Sequence, residues 1–223
     1  MEPIGTARSL RDQALDTLRQ AIVTGEIRPG ELHSAASIAK RLGVSVSPVR
    51  EAMLTLVNEG ILEAIRNRGF RVVEITADDL ADVIELRQWL EVPALMELAT
   101  RPQELVQAMP RLRDLCGAIE RLAKAGDAVE FLARDREFHL SLIALHGNRR
   151  LVESVAVLRD QTRLYGIPGL ASAGALEEAA REQRRVLGAL EAGEAEQVRE
   201  LMQLHLSRIT AGWTTEGVAP SLD

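Results

Sequence analysis

The hydrophobic period of this chain changes near Thr76, and that change constrains the fold more than any other feature. Before it, short helical stripes alternate with turns and a hairpin. Beyond it only helical periodicity remains, in six segments at roughly 78–100, 102–125, 127–146, 149–166, 174–192 and 194–212. Their separators are Pro102, Gly126-Asp127, Gly147-Asn148, Gly166 to Gly174, and Gly193. Short connections between long amphipathic helices imply antiparallel neighbours in a bundle. The expected fold class is mainly α: a small N-terminal module over 1–75, an all-α antiparallel helical bundle over 76–213, and a flexible tail at 214–223.

The first 75 residues read in finer detail. Ser9 to Thr24 carries Leu10, Ala14, Leu18, Ala21 and Ile22 on one stripe, and Gly25 ends it. Arg28-Pro29-Gly30-Glu31 is a turn. Ser34 caps a short helix over 35–42, with Ile38, Ala39 and Leu42 inward, and Gly43 supplies a left-handed residue after it. A further helix runs to about Glu59, capped by either Ser45 or Ser47. Pro48 lies in its first turn, where a missing N–H does no harm. Gly60 stops that helix. Residues 61–65 read as a strand, Asn67-Arg68-Gly69 as a tight turn and 70–73 as the returning strand.

Composition sets outer limits. With 46% hydrophobic and 27% charged residues among 223, the chain can bury a core and is not disordered in bulk. Aromatics at 3% exclude a stacking platform for single-stranded nucleic acid. A single cysteine excludes a disulfide framework and a Cys-rich zinc module. No apolar run reaches the roughly 18 residues of a membrane helix, and 1–10 holds no signal-peptide core. A soluble, cytoplasmic protein with no membrane partner is expected. The net charge of −6 argues against wholesale coating of nucleic acid, but it is unevenly spread. Residues 1–75 hold 10 Lys+Arg against 9 Asp+Glu, whereas the other 148 hold 17 against 24. A near-neutral head on an acidic body fits a module that meets a polyanion.

A helix, a short turn, a capped helix and a hairpin make a winged helix-turn-helix. In that geometry the second helix lies in the major groove with its N-terminal residues at the base edges. The exposed positions there are Val46, Ser47 and Arg50, while Val49, Met53 and Leu56 form the buried stripe. Arg50 can clamp a phosphate or a guanine, and Ser45 and Ser47 can donate to phosphates. Arg66, Arg68 and Arg71 surround Gly69 at the wing tip, placed to reach a neighbouring groove or backbone. The plainer alternative is that these arginines form a solvated face.

These residues carry a resemblance. The runs Leu18-Arg19-Gln20-Ala21-Ile22, Arg28-Pro29-Gly30-Glu31-Leu32 and Ile38-Ala39-Lys40-Arg41-Leu42-Gly43-Val44-Ser45 resemble the GntR family of bacterial transcription regulators. Ser47-Pro48-Val49-Arg50-Glu51-Ala52-Met53 and Asn67-Arg68-Gly69-Phe70-Arg71-Val72 continue it. Members of that family usually place an arginine directly after the serine of the Gly-Val-Ser turn and read bases with it. This chain has Val46 there. A valine can meet a thymine methyl and cannot read guanine, so the family's usual operator preference does not carry over.

In the helical part, Asp135 and His139 stand at i and i+4, on one helix face. A carboxylate and an imidazole at this spacing form either half of a metal site or a hydrogen-bonded core pair. His205, on the final helix, is a third candidate ligand. His146 lies about 10 Å further along its helix than His139 and reads as a cap or surface residue. Arg87 has Glu91 at i+4 and is open to a plain helical salt bridge or to holding a carboxylate.

A second resemblance bears on these residues. Glu85-Leu86-Arg87-Gln88-Trp89-Leu90-Glu91, Asp135-Arg136-Glu137-Phe138-His139, Gly147-Asn148 and His205-Leu206 resemble the FCD effector domain of FadR-type GntR regulators, in its six-helix form. The resemblance implies that Asp135, His139 and His205 ligate a divalent metal at the bottom of a ligand cavity, and that Arg87 helps hold an acidic effector. The family's remaining histidine ligand is replaced: Glu182-Gln183 stands where Glu-His is usual. Glutamine is a poor transition-metal ligand beside imidazole. Either the three good ligands hold zinc, nickel or manganese, or the metal is lost and Gln183 binds the effector directly.

The reading that unites both parts is a transcription regulator, usually a repressor in this family. It implies a homodimer on a two-fold double-stranded DNA operator, modulated by a small carboxylate effector. Two others compete with it. The Asp/His/His cluster matches a two-His-one-carboxylate enzyme site, though no separate base, nucleophile or cofactor loop accompanies it. A constitutive DNA-binding protein with no effector is the other.

Overall fold

The computed structural model describes residues 9–74, 76–170 and 173–215, except for the side chains of 163–170, 173 and 210–215. The chain divides into two compact units, Met1–Glu74 and Ile75–Asp223.

In the first unit, α1 (Leu10–Val23) starts at Ser9, whose side chain accepts from the Asp12 N–H and so satisfies one of the open donors of the first turn. The second helix, α2 (Ala35–Leu42), is capped by Ser34 in the same way and ends on Gly43 at φ +68. Its successor α3 (Val46–Asn58) is flanked by Ser45 as N-cap, in extended conformation. Ser47 is therefore the second residue of the helix and not its cap. α1 and α2 both pack on α3, and Leu18, Ile22, Ile38, Val49, Met53 and Leu56 fill the space between them. Leu10, expected on the inner stripe, is 53% exposed, because it opens the helix before the first full turn reaches the core.

The hairpin forms as β2 (Leu62–Ile65) and β3 (Gly69–Val72), in a register that pairs Leu62 with Val72 and Ile65 with Gly69. A third strand was not foreseen. β1 (Leu32–His33) pairs antiparallel with β3, giving the order β1-β3-β2. The turn at 28–31 feeds this ladder: the Gly30 N–H donates to the Val72 carbonyl at 2.9 Å, and the Val72 N–H donates to that of Glu31 at 3.2 Å. Gly69 has φ +128, and a Cβ there would run into the His33 carbonyl, so only glycine lets β1 close on the wing.

The second unit holds α4 (Ala77–Ala99), α5 (Pro102–Ala125), α6 (Ala128–Leu145), α7 (Arg149–Leu170), α8 (Ala173–Ala192) and α9 (Ala195–Thr215). Thr76 and Asp79 close a reciprocal capping box at the start of α4. α4 is the central helix, packed against α6, α7, α8 and α9, while α5 lies against α6 and α8. The expected break after Gly166 does not occur, since α7 continues to Leu170. Gly166, Pro168 and Gly169 therefore lie inside the helix rather than beyond its end. The foreseen tail at 214–223 overlaps the end of α9 at Thr215, and 216–223 lie outside the described residues. No helix among the described residues is long and apolar enough to cross a membrane.

Each long helix turns one stripe inward. On α4 it runs Leu80, Ile84, Arg87, Glu91, Leu95 and Leu98, a heptad-like core row with two charges in the middle. On α7, Val155, Arg159 and Thr162 are buried at the same spacing, and on α8 the row is Leu176, Ala180, Gln183, Leu187 and Leu190. The polar interruptions of these rows build the interior site.

Candidate functional site

Two sets of residues carry chemistry, one in each unit. In the first, Ser45, Val46, Ser47 and Arg50 are exposed at the N-terminal end of α3. Val46 is 40% exposed and Leu54, two turns on, is 45% exposed, so an apolar edge flanks Arg50. Ser47 Oγ donates to Glu51 Oε1 at 3.3 Å. At the wing tip Arg66 and Arg68 are exposed, and Asn67 takes φ +59, which lets the turn reverse within the hairpin.

The cations of this unit fall into two kinds. Arg19 meets Glu59 at 2.7 Å, Arg71 meets Glu63 at 2.6 Å, Arg11 meets Asp12 at 3.0 Å and Arg41 meets Glu26. By contrast, Arg50, Arg66 and Arg68 meet no carboxylate of the described residues. Arg71, read from the sequence together with the tip arginines, is spoken for by the cross-strand Glu63. Arg28 and Lys40 also form no salt bridge among the described residues. The guanidiniums of Arg50, Arg66 and Arg68, at the start of α3 and the wing tip, have their full donor capacity available to an external anion.

In the second unit Asp135, His139 and His205 do come together: one ligand atom from each lies within 4.8 Å of the others. His139 is fully buried, its Nε2 lies 3.6 Å from Asp135 Oδ1, and neither ring nitrogen has a hydrogen-bond partner. Its ring stacks on that of His205 with centroids 5.2 Å apart, while Phe138 meets it edge-on. Burial drives the His139 imidazole well below its ordinary pKa, and Arg159, His205 and Arg87 push the same way. The ring is therefore neutral, with a free lone pair. His205 Nδ1 lies 3.0 Å from Glu182 Oε2, a carboxylate–imidazole pairing that fixes the ring and leaves Nε2 as its second nitrogen. Arg208 Nε stands 2.8 Å from the other oxygen of Glu182.

Gln183, buried on α8, donates from Nε2 to Asp135 Oδ1, and its Oε1 is buried without a partner. Arg87 does not touch Asp135 directly. Its Nε donates to Glu91 at 2.7 Å and its Nη1 to Thr162 at 3.3 Å. The helical salt bridge expected as the bland alternative thus exists, but inside the protein, with both side chains nearly inaccessible. Arg159 continues the row by donating to Glu91 and, at 3.3 Å, to Asp135 Oδ2. Burial alone would raise the Glu91 pKa, yet Arg159 and Arg87 outweigh it and hold the carboxyl below its usual range. His146 ends α6 and pairs with Glu97 at 2.8 Å, away from this cluster.

The chain Arg87–Glu91–Arg159–Asp135 is electrically balanced, two guanidiniums against two carboxylates. The imidazole of His139, by contrast, has no hydrogen-bond partner at either nitrogen. An unpaired buried imidazole beside a carboxylate and a second imidazole is what a divalent cation satisfies, so the residues fit such an ion. Sequence reasoning had missed Arg159 and Thr162, and had named Glu182 without its pairing to His205. Arg159 and Thr162 give only the weak signal of polar residues on the inner stripe of α7.

Comparison with known proteins assigns both units. Residues 10–72 match the description "Bacterial regulatory proteins, gntR family", and residues 82–208 match the FCD domain. An HTH-type transcriptional regulator of Streptomyces ambofaciens is 30% identical over 196 residues, covering 86% of this chain and 80% of that protein. The Nta operon transcriptional regulator of Aminobacter aminovorans is 33% identical over 141 residues, 63% of this chain and 66% of that protein. Among solved structures, McbR/YncC of E. coli superposes with a TM-score of 0.76 at 25% identity, covering 93% of this chain and all of that one. These names are those of transcriptional regulators, not enzymes.

Proposed function

The chain belongs to the gntR family of bacterial regulatory proteins and carries an FCD domain, and from that premise we propose that this DNA-binding transcription regulator is an effector-responsive repressor acting as a homodimer. The observation that carries the effector reading is the unpaired, fully buried His139 beside Asp135 and His205 in an interior whose other charges are matched.

In this reading Arg50, with Ser45, Val46 and Ser47, meets the major groove, and Arg66, Arg68 and Gly69 meet the adjoining backbone or groove. Asp135, His139 and His205 would hold a divalent cation such as zinc, nickel or manganese. When bound, the cation supplies a Lewis-acid point for carboxylate oxygens. Because the surrounding ion chain is already balanced, two added positive charges call for a dianion, which favours a small dicarboxylic or hydroxy acid. The Arg87 guanidinium adds a fixed positive charge nearby. Gln183 Oε1, without a partner, is open to a hydroxyl of the acid. Trp89 at 62% and Leu86 at 43% exposure sit on one face of α4, an apolar stripe suited to the partner subunit.

The test begins with DNA selected from a random library by the purified protein. A two-fold symmetric site bound by two chains is expected, with Trp89→Glu sedimenting as a monomer. Fluorescence anisotropy on that site, with zinc, nickel or manganese present, would then screen dicarboxylic and hydroxy acids. A shift of about 1–3 kcal/mol with at least one acid is expected. Affinity unmoved across the panel would leave a constitutive DNA-binding protein instead.

A further inference from the structure

We infer that the Glu182–Gln183 pair of α8 supplies no metal ligand but orients two of them, which leaves Asp135, His139 and His205 as an open three-ligand site for a divalent cation plus a chelating anion. The inference rests on the metal reading above and adds to it the number of protein ligands and the role of Gln183.

Both residues of the pair are almost completely buried, although they are neighbours in one helix. Each is turned to a different candidate ligand: Glu182 to His205 Nδ1, and Gln183 Nε2 to Asp135 Oδ1. An amide nitrogen has no lone pair to give a cation. Rotating the amide would place Oε1 against a carboxylate oxygen with no proton between them, so the carboxylate itself dictates which end of Gln183 faces it. Arg159 Nη1 holds the opposite oxygen at 3.3 Å. Asp135 is thus gripped from α7 and α8 at once and presents Oδ1, the oxygen facing His139 Nε2 at 3.6 Å. With Nδ1 of His205 committed to Glu182, one carboxylate and two imidazoles remain as ligands. Two histidines and one carboxylate with vacant positions suit ions that take five or six ligands better than a closed tetrahedral zinc site. The vacant positions would receive a bidentate acid. Gln183 is accordingly a positioning residue.

Cobalt(II) is the probe, because its visible absorption is weak in five- or six-coordinate sites and intense in tetrahedral ones. Metal-free full-length protein titrated with cobalt should give weak bands that change on adding malonate. Gln183→Met, which keeps the length and loses the donor, should bind cobalt about 10–100-fold more weakly, with the melting temperature of its metal-free form near that of the wild type. Intense, malonate-insensitive bands in the wild type would overturn the open-site inference while leaving the metal reading intact. So would a Gln183→Met protein that binds cobalt as tightly as wild type, since Gln183 would then position nothing. A wild-type protein that takes up no cobalt would overturn the metal reading and this inference with it.

Discussion

The two units place their charges in opposite ways. Among the described residues every buried charged or polar side chain, from Arg87 to His205, belongs to the helical unit, and none belongs to the winged unit. The winged unit has an apolar interior and keeps Arg50, Arg66 and Arg68 outside without a carboxylate partner among the described residues. The helical unit pairs many of its surface cations, as in Arg184 with Glu120 at 2.9 Å, and stores unsatisfied groups inside. The contrast is the one the proposed function calls for. A polyanion as large as a DNA duplex is met at a surface, where rigidity comes from an apolar core and recognition from exposed donors. A small ion or acid is held by desolvated groups whose electrostatics are stronger away from water and whose cost is met by surrounding packing.

The comparison can be broken most severely at Glu91. Glu91→Ala leaves Arg87 and Arg159 buried without their shared counter-ion, and a loss of about 3–5 kcal/mol in urea-unfolding stability is expected. A loss under 1 kcal/mol would mean that the interior charges are solvated. The same carboxyl has a lowered folded-state pKa, so its contribution is present above its unfolded value and disappears as pH falls through the folded one. An acid limb present in wild type and absent in Glu91→Gln would register this.

On the winged side the expectation is inverted. Arg50→Ala or Arg68→Ala should cost about 1–3 kcal/mol of affinity for the selected site while moving unfolding stability by no more than about 0.5 kcal/mol. Loss of stability comparable to the loss of binding would make these arginines part of the fold. A smaller effect belongs to Thr76→Ala, which opens the capping box of α4 and should cost about 1 kcal/mol. Its partner Asp79 has its pKa held down first by the Thr76 hydroxyl and then by the Thr76 amide. The box therefore holds above the ordinary carboxyl range and opens as pH falls through the lowered value. The smallest signal concerns Cys116, whose thiol is pushed up to about 11 by burial. It should resist a disulfide reagent at pH 8 until urea is added; rapid labelling of the folded protein would show α5 opening locally.

The helix α3 was legible because each of its determinants is local: a serine at the N-cap position, a proline in the first turn, a stripe at Val49, Met53 and Leu56. The same holds for Asp135 and His139, one turn apart. β1 was not legible, since two residues have no period, and its pairing with β3 depends on a glycine thirty-odd residues away at position 69. Arg159 was missed for a related reason. Its helix reads as amphipathic, and a lone arginine on the inner stripe becomes meaningful only when Glu91 and Asp135 arrive from two other helices. The α7 boundary failed because Gly166, Pro168 and Gly169 were weighed as terminators, and the helix runs through them to Leu170.

The lack of internal partners for Arg50, Arg66 and Arg68 has a consequence for how DNA binding depends on ionic strength. A cation that must abandon a carboxylate before it reaches a phosphate exchanges one neutralised state for another, and few condensed counterions are set free. These three have nothing to abandon. Each that docks on a phosphate should therefore add close to its full share, about 0.9, to the slope of log affinity against log salt. That slope then serves as a direct count of how many of them touch the backbone, and a substitution at an arginine that reads a base should leave it unchanged.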